Sequence, residues 1–176
     1  MIPEAVAPNL RGRSFKILSD IVITDPNAEG IIFTFGSRFG GHTLFIKNKK
    51  LYYVYNFLGI KPEQVLISSE TLKPGKYAVG MEFIREKAGQ YYESIGTAKL
   101  YVNDKTVAEK PIRTQAGKFG LGGGLRIGQN SADPVSREYI KQGGFKGGMI
   151  LFVGFTAEKT GYRDLEQEAQ RVFLRD

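Results

Sequence analysis

Polar and apolar positions alternate along most of this chain with a period of two. Across residues 14–24, Phe15, Ile17, Ile21 and Ile23 fall on one face of an extended segment, and Lys16, Asp20 and Thr24 on the other. That spacing predicts a long first strand with its apolar face turned inward. Residues 42–47 and 51–57 are aromatic and β-branched runs on either side of the polar turn Asn48-Lys49-Lys50, the pattern of a hairpin. Alternation in the second run puts Leu51, Tyr53, Tyr55 and Phe57 on one face and Tyr52, Val54 and Asn56 on the other. Large apolar bodies on both faces place this hairpin in the middle of a sheet.

Further strands are predicted at 31–35, 63–69, 76–84, 95–102, 105–113, 125–128 and 145–155. Tyr77, Val79, Met81 and Phe83 of the 76–84 run point inward. In the last run, Phe145, Met149, Leu151 and Val153 share one face, and Ile150 and Phe152 the other. Pro74-Gly75 supplies a type II turn and Asn103-Asp104 a primed one. Residues 36–41 read as an irregular, glycine-rich crossing, and 85–93 as a polar, mobile hairpin loop. The pattern is that of an all-β antiparallel sandwich.

The two ends break the period. Residues 1–13 contain Pro3 and Pro8 and read as a linker or leader continuing from something upstream. In 162–176, Leu165, Ala169, Val172 and Phe173 recur at i, i+4, i+7 and i+8, one apolar stripe on a helix. Asp164 and Gln167 form a capping box, and Arg171 and Arg175 suit its C-terminal end. The chain therefore divides into a leader over 1–13, a sandwich over 14–155 and a helical tail over 156–176. That tail would pack on the sandwich or on a domain outside this chain.

At 176 residues, one domain can bury roughly 70% of its unfolded surface. The absence of cysteine excludes a disulfide framework, thiolate metal sites and a cysteine nucleophile. No basic segment followed by an apolar core opens the chain, so no signal peptide is expected. The net charge of +7 is scattered over turn lysines and forms no nucleic-acid stripe, though it favours anionic ligands.

Little reactive chemistry is visible. His42 is the only histidine, and a hydrogen-bonded position in the sheet is its expected place. Gly120-Leu-Gly-Gly-Gly124 lacks the lysine and the βαβ setting of a phosphate loop. The acidic residues Glu82, Glu86, Glu93, Asp104 and Glu109 do not take the spacing of a glycosidase pair. Asn130, Ser131 and Asp133 are oxygen donors that suit calcium weakly, with one carboxylate among them. The glycine-rich turn Arg38, Phe39, Gly40, Gly41 and His42, together with Asn130, Asp133 and Arg137, are the candidates for contact with a ligand or partner. Tyr52, Tyr53, Tyr55 and Asn56 offer an alternative, a sugar-stacking platform.

Three segments carry a resemblance. Arg38-Phe-Gly-Gly followed by Leu51-Tyr-Tyr-Val-Tyr-Asn-Phe-Leu-Gly59 resembles the C-terminal domain of bacterial arylsulfatases. So do Gly128 to Ser136, with its Pro-Val-Ser ending, and Asp164-Leu-Glu-Gln-Glu168. Lys99 to Val107 is similar to a hairpin of laminin-G-like sandwiches. The likeness runs from about Pro8 to Asp176. It implies a jelly-roll sandwich of the concanavalin A/laminin-G type that packs against a catalytic sulfatase domain and helps shape its substrate cleft. The resemblance is to bacterial proteins and leaves the compartment, cytoplasm or periplasm, open. No Cys/Ser-x-Pro-x-Arg motif is present, so the resemblance assigns the nucleophile and the calcium to the absent catalytic domain, and this chain carries no cofactor. The alternative is a free-standing laminin-G-like carbohydrate-binding module.

Overall fold

The computed structural model describes residues 1–141 and 143–158. Its strands are β1 (Phe15–Ile23), β2 (Gly30–Ser37), β3 (Gly40–Lys47), β4 (Lys50–Phe57), β5 (Ile60–Ile67), β6 (Gly75–Ala88), β7 (Ser94–Val102), β8 (Lys105–Thr114), β9 (Leu125–Ile127) and β10 (Gly148–Ala157). They form two antiparallel sheets, β10-β1-β6-β7-β8 and β5-β4-β3-β2-β9. No helix occurs among the described residues. The tail helix expected over 162–176 and its capping box lie outside them.

The alternation seen in the sequence builds the interior. Phe15, Ile17 and Ile21 of β1, Val79, Met81 and Phe83 of β6, and Ala98 and Leu100 of β7 line the first sheet's inner face. They meet Phe33 and Phe35 of β2, Leu44 and Ile46 of β3, and Leu51, Tyr53 and Tyr55 of β4. Each large side chain buried there contributes roughly 1.5–3 kcal/mol relative to exposure. The β3–β4 hairpin lies mid-sheet, as expected, and is covered on both sides. Ile31, Phe45 and Val54 form a second cluster on the outer face with Tyr139, with Tyr52 and Val65 packed against it.

Five features differ from the sequence reading. The 36–41 crossing is a tight hairpin in which only Arg38 and Phe39 turn. Gly36 pairs with Gly41 so closely that a Cβ on Gly36 would lie 2.2 Å from the Gly40 carbonyl oxygen, and one on Gly41 2.2 Å from that of Phe35. β5 starts at Ile60 rather than 63, immediately after the turn residues Leu58 and Gly59. β6 continues through Ala88, which shortens the loop to 89–93, closed by Gly89 N–H donating to the Glu93 carbonyl at 2.8 Å.

The phase of β10 also changes. Asp20 pairs with Phe152 and Ile21 with Ile150, so Leu151 is an extra, bulged residue. Ile150, Val153 and Phe155 therefore pack on the core, while Met149, Leu151 and Phe152 face outward. Finally, residues 1–13 have no strand of their own, yet they lie against the body. Ile2 bridges to Leu125, Glu4 Oε1 accepts the Leu121 N–H at 2.7 Å, and Leu10 is fully buried.

Candidate functional site

At one end of the second sheet, three segments far apart in sequence enclose a groove of about 640 Å³. The β2–β3 turn brings Arg38 and Phe39. The β4–β5 turn and the start of β5 bring Leu58, Gly59, Lys61 and Glu63. The segment 133–140 brings Asp133, Val135 and Arg137.

Asn56 holds the three together. Its Oδ1 accepts the Gly59 N–H at 2.8 Å, and its Nδ2 donates to the Arg38 carbonyl at 3.0 Å and to the Val135 carbonyl at 2.8 Å. A polar side chain in an apolar strand is buried here because every one of its hydrogen-bonding directions but one is used. The turn it supports has Leu58 and Gly59 both at positive φ, 53° and 74°, the geometry of a primed hairpin turn.

Glu63 is the second fastening. Its side chain is 8% exposed and accepts from Lys61 Nζ, from Ser136 Oγ and from the Arg137 N–H. Burial alone would raise its pKa, but hydrogen bonds from Lys61, Ser136 and Arg137 and the lysine's charge outweigh that, and the net shift is downward. The carboxylate thus stays ionised as a structural anion.

Electrostatically, the groove holds Arg38, Lys61 and Arg137 against Glu63 and Asp133. Arg38 Nε lies 3.6 Å from Asp133 Oδ2, both well exposed, and its guanidinium sits 4.7 Å from the centroid of the Phe39 ring. Such an exposed pair contributes about 0–1 kcal/mol and is easily exchanged for another anion. The exposed Arg137 guanidinium forms no ion pair among the described residues. Phe39 is 58% exposed.

Of the contact candidates read from sequence, Arg38, Phe39, Asp133 and Arg137 come together in this groove. Gly40, Gly41 and His42 do not, because all three are buried. His42 instead faces the interior, shares a hydrogen bond with the Tyr53 hydroxyl at 2.8 Å through Nδ1, and meets Phe15 edge-on. Burial pulls its pKa down from 6.5 to about 3, so it is a neutral core residue.

The tyrosine platform is also corrected. Tyr53 and Tyr55 are 0% and 1% exposed and Asn56 is occupied, so these three cannot meet a sugar, while Tyr52 is half-buried and stacks on Phe45. Asn130 lies away from the groove, donating to the Tyr139 carbonyl at 3.1 Å and accepting the Ser131 N–H.

The suggested calcium donors are engaged within the protein. Ser131 Oγ donates to the Asp133 carbonyl, and the Asp133 carboxylate is engaged by Arg38. Among the described residues no group of three or more His, Cys, Asp or Glu converges as metal ligands. Asn56, Lys61 and Glu63 were not singled out from sequence for this site. The sequence reading names Asn56 only for the sugar-stacking alternative, and its signal in the sequence is a lone amide in an apolar run.

The architecture defines a laminin-G-like β-sandwich. The mouse laminin alpha1 chain, domains LG4-5, shares it with a TM-score of 0.59 and 12% identity over 88% of this chain. The match covers 38% of that laminin chain, so the present chain corresponds to well under half of its length. At this identity the likeness concerns the fold alone. No family model matches the chain, and no curated protein sequence matches it either.

Proposed function

We propose that this chain is a non-catalytic laminin-G-like module of an arylsulfatase-type protein, and that its groove forms part of the wall of the substrate cleft, where it takes an anionic group. The sulfatase part of this reading rests on the sequence resemblance. The observation that carries the ligand part is the convergence of Arg38, Lys61 and Arg137 on one groove, with Arg137 unpaired among the described residues. Two of the three cations already answer a carboxylate, which leaves one positive charge for a ligand.

The role of each residue follows. Arg137 would meet the anion directly, and Arg38 would leave Asp133 to join it. Asn56 and Glu63 would hold the turns in place. The test is to mix the chain with the catalytic domain of a sulfatase whose own C-terminal domain shares the 52–59 motif. Association is expected, and Arg137→Ala should raise KM for an anionic aryl ester about tenfold with association unchanged. Failure to associate, or sulfate-ester turnover by this chain alone, would overturn the reading.

One observation favours a second reading, a free-standing carbohydrate-binding module. Phe39 presents an exposed ring beside polar groups at the groove, the arrangement the buried tyrosines lack. Glycan-array binding by the isolated chain that disappears with Phe39→Ala would select it.

A further inference from the structure

The loop between β6 and β7 and the turn after β8 bring exposed aromatic rings together around one lysine. Lys118 Nζ lies 5.7 Å from the centroid of the Tyr92 ring and 5.4 Å from that of Phe119. Tyr91, Tyr92 and Phe119 are 73%, 39% and 43% exposed. Among the described residues Lys118 forms no ion pair. None of these four residues lines the groove.

Both segments hold their rings on a fixed backbone. Tyr92 stands at a φ of 65°, a left-handed conformation that a bulky side chain seldom adopts. The Tyr92 N–H donates to the Gly89 carbonyl at 3.0 Å, and the Tyr91 N–H to Glu93 Oε2 at 2.8 Å. The Glu93 side chain folds so closely over Gly89 that a Cβ there would meet its carboxyl group at 2.3 Å. On the other segment, the Phe119 N–H donates to the Ala116 carbonyl at 3.0 Å. The buried Gln115 amide donates to the Phe119 and Gly120 carbonyls at 3.2 and 2.6 Å. Strain kept in an exposed loop of an otherwise regular sandwich points to a use for that loop.

The chemistry of this surface selects its occupant. An apolar protein face would strand the Lys118 ammonium away from water and from any counter-charge. A single-stranded nucleic acid wants a track of cations along its backbone, and one lysine stands between these rings. A pyranose lays its C–H face on an aromatic ring and keeps its hydroxyls wet, and an acidic substituent on it reaches the lysine. We propose that Tyr91, Tyr92, Lys118 and Phe119 form a binding platform for an anionic saccharide, separate from the groove and independent of what the groove takes.

Titration calorimetry on the full chain tests this with tetragalacturonate, a κ-carrageenan tetrasaccharide and neutral cellotetraose. An acidic sugar should bind at least about tenfold more tightly than cellotetraose, and Lys118→Ala should remove that preference. The two acidic probes tell a carboxylate from a sulfate ester as the recognised group. Tyr91→Ala and Phe119→Ala should each weaken binding about three- to tenfold. All three side chains are exposed, so an unchanged melting temperature should verify that the variants keep the fold. On the unsubstituted chain, the ring resonances of Tyr91, Tyr92 and Phe119 should shift when the acidic sugar is added. Arg137→Ala and Phe39→Ala, in the groove, should leave binding unchanged. Loss of binding in those two instead would place the sugar in the groove, overturning this inference while sparing the reading of the groove. No binding of either acidic sugar at millimolar concentration, equal binding of cellotetraose, or tighter binding of a single-stranded oligonucleotide would overturn it outright.

Discussion

The two outer faces of the sandwich are finished differently. On the second sheet, Phe45 is fully buried between Tyr52, stacked at 5.1 Å, and Tyr139, at 5.3 Å. Tyr52 belongs to the neighbouring β4, and the cover, Tyr139, belongs to the long segment after β9. That segment is fastened by Asn56 to Val135, by Glu63 to Ser136 and Arg137, and by Lys47 Nζ donating to the Glu138 carbonyl at 2.9 Å. On the first sheet, Leu18, Met149, Leu151 and Phe152 stand exposed with no described segment over them. A sheet face is closed where the chain has spare length and polar fastenings beside it. The covered face also gains its groove from this, since Asn56 and Glu63, which hold the cover, line that groove.

Substitutions can break this contrast. Phe45→Ala should cost the most, roughly 3–5 kcal/mol, because the cavity lies between a rigid sheet and a fastened cover. Urea unfolding measures it, and a cost below about 1 kcal/mol would show that the cover is loose. Asn56→Ala should cost roughly 2–4 kcal/mol, leaving two carbonyls and one N–H without their partner, with faster amide exchange in 133–140. Tyr139→Ala should cost about 1–3 kcal/mol and create dye-binding apolar surface on the second sheet, making the two faces alike.

Acid should act on the interior as well as on the Glu63 fastening of the second sheet. His42 refuses a proton in the folded state down to about pH 3, whereas the unfolded chain takes one up near 6.5. Its contribution is fully present above that upper value. Below it, stability falls by ~1.4 kcal/mol per pH unit as pH drops toward 3. Denaturation midpoints across this window should lose that part of their slope in His42→Phe. Smallest of all, Ile84→Ser on the outer face of β6, where Ile84 is 41% exposed, should shift stability by no more than about 0.5 kcal/mol. A clear loss there would mean that the residue is covered in the folded chain.

Much of the sandwich was legible because period-two alternation reports burial directly. Leu51, Tyr53, Tyr55 and Phe57 face the core, and Tyr52 and Val54 pack on the second cluster, as their alternation implied. Alternation fails where a residue is inserted. The bulge at Leu151 reverses the phase of β10, and nothing local in Met149-Ile-Leu-Phe-Val announces it. Gly36 and Gly41 read as a loop because glycine pairs are usually turns. Here they allow two strands to approach too closely for side chains.

The groove was half legible. Arg38, Phe39, Asp133 and Arg137 stood out as polar or glycine-adjacent loop residues. Asn56, Lys61 and Glu63 matter through contacts that span up to 79 positions, which no local pattern encodes. The same limit misled the tyrosine reading, since an alternating aromatic run has the same appearance whether it faces a ligand or the opposite sheet.

The opening residues have a practical consequence. Ile2 bonded to Leu125 and Glu4 bonded to Leu121 make the first few amino acids a strap across the glycine-rich segment beside β2. A protease that clips between Glu4 and Leu10 should therefore loosen residues 119–125 before any strand opens. Limited digestion followed by mass spectrometry would register that as new cleavage near Phe119 and Leu121.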